Sequence, residues 1–102
     1  MTYQLAFRVR TPYFRAIVRG EKVTEIRRSN EFWNVRAHRA MAELQAGRHV
    51  TGMFLCGRAK HYREVVRVAW IGSAAWALGR EPTEQGREDL GAGMVIEFML
   101  GK

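Results

Sequence analysis

Two helix-length stretches, each closed by a glycine and each set between β-prone runs, constrain this chain more than any other feature. Thr11-Pro12 reads as an N-cap followed by proline at the first helical position. Phe14, Ile17 and Val18 share a face of that short helix, and Gly20 stands where a left-handed residue ends it. Ser29 or Asn30 caps a second helix, with Glu31 in its positive first turn. Trp33, Ala37, Ala40, Met41 and Leu44 recur at the spacing of a core stripe, while Arg36, His38 and Arg39 fall off it. Gly47 closes that helix.

The β-prone runs fill the remainder. Residues 3–9 alternate Tyr3, Leu5, Phe7 and Val9 with polar neighbours, and 22–28 form a strand only half apolar. Runs 48–56 and 63–71 are joined by a basic connector, Gly57 to Tyr62. In the second run Val66, Val68 and Trp70 share one face, and Arg63, Val65 and Arg67 the other. Residues 73–92 hold turn and short-helix signals and most of the acid of the second half. Residues 94–100 are apolar on both faces, as a central or barrel-closing strand would be. The order β-α-β-α-β-β-(α)-β predicts an α+β fold and one domain over residues 1–102. The expected architecture is a small mixed β-barrel of five or six strands flanked by two or three helices.

Composition narrows the function. No apolar run approaches the roughly 18–20 residues of a membrane span, and the first residues lack a signal-peptide core, so the expected location is the cytoplasm. Cys56 is the lone cysteine, and His38, His49 and His61 show no metal-ligand spacing, so neither a metal nor a cofactor is expected. The net charge of +7 is uneven, with +6 in residues 1–51 and +1 in the rest, and fourteen of the seventeen cations are arginine. The planar guanidinium matches phosphates and guanine edges and stacks on bases, which points to nucleic acid.

The segment Ile17 to Arg27 carries the sharpest motif. Gly20, Lys22, Glu25 and Arg27 make Gly-x-Lys-x-x-Glu-x-Arg between a short helix and a strand. Alternation sends Lys22, Thr24 and Ile26 to one side and Val23, Glu25 and Arg27 to the other. This pattern resembles the signature of the ASCH domain family, and the length and element order agree along the whole chain. The resemblance implies a PUA-like barrel with RNA as the usual inferred ligand. Some small ASCH proteins are similar to amidohydrolases of acetylated cytidine, whose threonine nucleophile takes the signature's glutamate position. Here Glu25 stands there and Thr24 falls one residue earlier, on the other face, so the nucleophile does not carry over.

The expected partner is RNA or another single-stranded nucleic acid, or a modified nucleoside, held in a basic cleft. Lys22, Glu25, Arg27 and Arg28 would line it, together with Arg58, Lys60, His61 and Tyr62 from the connector and Arg63 at the start of the run after it. There an aromatic ring lies among cations, as base stacking beside phosphates requires. A small hydrolase, a ribonuclease or acetylcytidine amidohydrolase with Lys22 and Glu25 as catalytic groups, is the alternative. A third reading is a basic interaction or inhibitor protein, of the kind carried by viruses or mobile elements, meeting an acidic protein. Nothing in the residues decides an oligomeric state.

Overall fold

The computed structural model describes residues 2–72 and 94–101. Within them run β1 (Tyr3–Arg8), α1 (Thr11–Val18), β2 (Thr24–Arg28), α2 (Glu31–Gln45), β3 (Val50–Cys56), β4 (Ala59–Gly72) and β5 (Met94–Leu100). The five strands form one mixed sheet in the order β1-β3-β4-β5-β2. Only β1 and β3 are parallel. β1 and β2 stand at the sheet's two edges with no backbone ladder between them, so the described residues form an open five-stranded sheet with two helices. The turn and short-helix signals at 73–92 lie outside the described residues. No helix among those residues is long and apolar enough to cross a membrane.

Each helix ends as its glycine requires. Gly20 has φ 76°, a region that side chains with a Cβ rarely enter. Its N–H donates to the Ile17 carbonyl and that of Glu21 to the Ala16 carbonyl, the paired bonds of a Schellman turn. The chain thereby leaves α1 and enters β2 within a few residues. Asn30 is the N-cap of α2, its side-chain oxygen accepting from the Trp33 N–H at 2.9 Å. For α1 the expected cap is displaced. Arg10 occupies the N-cap without a side-chain bond, Thr11 is already helical, and the Thr11 hydroxyl lies 3.5 Å from Cys56 Sγ.

The core lies between the helices and one face of the sheet. Leu5, Phe7, Ile17, Ala37, Ala40, Val50, Phe54, Val65, Val68, Ile96, Phe98 and Leu100 form it, with Trp33, Met41, Leu44 and Trp70 packed against it. The α2 stripe therefore faces inward as its spacing predicts. Phe7 stacks between Trp33 and Phe54, with centroids 5.3 and 5.1 Å away, while Phe98 meets it edge-on. β5, apolar on both faces, is central between β4 and β2.

β4 corrects two expectations. The basic connector is a two-residue turn, Gly57-Arg58, with φ 57° at Gly57, and Cys56 pairs with Ala59 across it. A tight hairpin with glycine at the first central position leaves residues 59–62 in the strand. The predicted faces also fail beyond Val65. The register between β4 and β5 shifts between Val65 and Arg67. This bulge adds one residue and reverses the alternation. Arg63 and Val65 consequently face the core with Val68 and Trp70, and Val66 is exposed.

Candidate nucleic-acid interface

β2 is shorter than its β-prone run, and that shortening assembles the site. Residues 21–23 are not yet strand. Lys22 is thus freed from the alternation that would have turned it away from Glu25, and its Nζ reaches Glu25 Oε1 at 3.0 Å. Arg27, two residues along the strand, donates Nη1 to the same oxygen at 2.9 Å. The backbone N–H of Ile26 adds a third donor at 3.2 Å. Glu25 is only 4% exposed. Its other oxygen, Oε2, is buried without a hydrogen-bond partner. The two cations balance the buried carboxylate on one side only.

Glu25 and Arg27 were expected on one face and meet there, whereas Lys22 was expected on the other, and the two cations differ in role. Arg27 is spent on the scaffold. Besides Glu25, its guanidinium donates to the Ile26 carbonyl at 3.0 Å and, through Nη2, to the Arg8 carbonyl at 3.0 Å. It also lies 5.2 Å from the Phe7 ring centre and 5.3 Å from that of Trp33. Lys22 is less engaged. Its side chain meets Glu25 and lies 5.4 Å from the ring centre of Tyr13, itself 51% exposed. Tyr13 on α1 is a neighbour that the sequence pattern did not single out. The Schellman turn at Gly20 brings it there, and that glycine was its available signal.

Arg63 is a correction. It was read as a nucleic-acid contact, yet it is buried in β4. Nε donates to the Gly101 carbonyl at 2.8 Å, and Nη1 donates to the carbonyls of Ile17 and Lys22, both at 3.0 Å. It thus holds the end of α1 and the backbone of Lys22 in place. The bulge after Val65, unforeseen in the alternation, is what keeps Arg63 in phase with the core.

The remaining residues divide by location. Arg28 ends β2 and is exposed. Arg58, in the turn, is exposed, as are Lys60 and Tyr62, with His61 half-buried, on the portion of β4 that pairs with β3. The portion that pairs with β5, and so adjoins the β2 side of the sheet, begins only at Val65. The structure brings Lys22, Glu25 and Arg27 into one cluster, and Lys60, His61 and Tyr62 lie on β4 where it pairs with β3. Thr24 precedes Glu25 on β2, and alternation turns it from the buried face that Glu25 occupies. No family model matches the chain, and no curated protein or solved structure matches it either.

Proposed function

We propose that this chain binds single-stranded RNA, or a modified nucleoside, at the Lys22–Glu25–Arg27 cluster. The observation that carries this reading is the unpartnered Oε2 of Glu25. A buried acceptor left unsatisfied costs roughly 1–3 kcal/mol, more when charged, and native structures leave few of them. A base edge with an amino or imino N–H is a group that this oxygen can accept from once the side chains over it move aside. Lys22, bound through one carboxylate oxygen and covered by a half-exposed tyrosine, is suited to exchange that contact for a phosphate. The Tyr13 ring is then available to stack on a splayed base.

Charge supports the same reading, since the arginine-rich first half carries +6. The resemblance of Gly20, Lys22, Glu25 and Arg27 to the ASCH signature points to the same ligand class. On this reading the open sheet is a PUA-like fold whose two edge strands are tied by the Arg27 side chain rather than by a backbone ladder, and the protein acts in the cytoplasm.

The test is affinity for RNA homopolymers and for cytidine-type nucleosides, measured between about 50 and 200 mM salt. Binding should fall steeply with salt and differ among bases. Glu25→Gln should abolish the difference among bases. Absence of binding at low salt, or equal binding of any acidic polymer, overturns the proposal. Turnover of RNA or acetylated cytidine that disappears in Lys22→Ala would replace the binder with the hydrolase.

A further inference from the structure

A second group of charges lies at the far end of β1. Glu43 on α2 is 6% exposed, and its two oxygens hold two arginines. Oε1 accepts from Arg39 Nε at 2.9 Å, one helical turn earlier, and Oε2 accepts from Arg48 Nε. Arg48 is fixed through its backbone too, because its N–H donates to the Glu43 carbonyl at 2.9 Å in the turn after α2. Tyr3, at the start of β1, places its ring centre 5.3 Å from the Arg39 guanidinium carbon. With Thr2 and Gln4 these side chains line a hollow of about 490 Å³. That size suits a small ligand.

We propose that this hollow is a phosphate-binding site with Arg39 and Arg48 as its clamp. Glu43 needs one cation for neutrality and holds two, so the site keeps one positive charge in surplus. Both ion pairs run through Nε. The Nη nitrogens of each guanidinium therefore remain at the outer edges of side chains that are 61% and 57% exposed. Two planar forks fixed by one carboxylate match the oxygens of a phosphate better than two mobile lysines would. Thr2 and Gln4 supply hydroxyl and amide donors at the rim. The site is separate from the Glu25 cluster. Tyr3 and Arg8 are five residues apart on β1, about 17 Å at 3.3 Å per residue.

Inorganic phosphate titrated into arginine-labelled protein, followed by NMR, tests the assignment. The Nε–H signals of Arg39 and Arg48 should shift together and saturate. Arg39→Gln and Arg48→Gln should each weaken phosphate binding about tenfold, as loss of charge-assisted hydrogen bonds predicts. The signals read are those of Arg39 and Arg48 themselves, which keeps this result distinct from the fate of the RNA reading. Glu43→Gln separates a clamp from mere charge. It raises the local charge by one, so a charge-only patch would bind phosphate more tightly, whereas a clamp deprived of its brace binds more weakly. Should that variant fail to fold, the two exposed arginine variants carry the test. An RNA trinucleotide with and without a 5′-phosphate identifies the source. Preference for the phosphorylated form assigns a terminal phosphate. Equal binding of both that is lost in the arginine variants assigns a backbone phosphate. Unmoved arginine signals, or the same response to chloride at matched ionic strength, overturn the proposal.

Discussion

Arg27 on β2 donates to the carbonyl oxygen of Arg8 at the end of β1, 3.0 Å away, so one side chain ties together the strands at the two edges of the sheet. The same guanidinium neutralises Glu25 and lies against Phe7 and Trp33. Charge, edge and core meet in one residue.

Arg27→Ala should therefore destabilise the protein by about 3 kcal/mol, the range for removing one partner of a buried ion pair. That corresponds to a fall in Tm of more than about 10 °C for a chain of this size. Arg27→Lys keeps the charge without the fork and should fall between. A loss below about 1 kcal/mol, measured by urea unfolding, would class the contact with exposed pairs.

Lys22 and Glu25 should separate by readout. Lys22→Ala removes the more accessible cation and leaves Arg27 on the carboxylate, so Tm should change little while the RNA salt slope drops by about one. Glu25→Gln keeps shape but turns an acceptor-only group into a mixed donor and acceptor. It should reduce affinity for the preferred base roughly tenfold to a hundredfold, the range for a hydrogen bond to a charged group, with the salt slope unchanged. Equal losses across all bases in both variants would make the cluster scaffold alone.

Arg63→Met leaves the carbonyls of Ile17, Lys22 and Gly101 without their donor. The expected result is a loss of about 3 kcal/mol or more. The salt slope of RNA binding should stay as in the wild type wherever the variant is folded. A well-folded Arg63→Met with a slope lower by one would return Arg63 to the phosphate contacts.

Glu43 gives the protein an acid limit. The hydrogen bond from Arg48, then that from Arg39, holds its carboxyl below the ordinary value of 4.5. A carboxyl whose folded value is depressed contributes stability that is complete above its unfolded value and is lost as pH falls through the folded one. Wild type should thus lose stability from about pH 4.5 downward more steeply than Glu43→Gln, as denaturation midpoints from pH 6 to pH 3 would record. Parallel curves would remove Glu43 as the source.

Local pattern made much of this protein legible. The inward stripe of α2, the glycine ends of both helices, the Asn30 cap and the central place of residues 94–100 follow from short-range rules, because helix periodicity and left-handed φ are decided within a few residues. Glu25 and Arg27 were readable as a same-face pair for the same reason. Strand faces in β4 were not, since one bulge between Val65 and Arg67 inverts every position beyond it.

What the sequence by itself determined was the order of the elements among the described residues, the motif at Gly20 to Arg27 and the surplus of arginine. Tertiary structure decided what each arginine does. Arg63 turned inward onto three carbonyls, Arg27 became the tie between edge strands, and Arg39 and Arg48 converged on Glu43. Guanidinium groups look alike along a chain. Their role depends on which carbonyls and carboxylates lie within about 3 Å, and those partners come from residues as many as 46 positions away. Such proximity is fixed by strand order, register and a single bulge, and no local pattern encodes it.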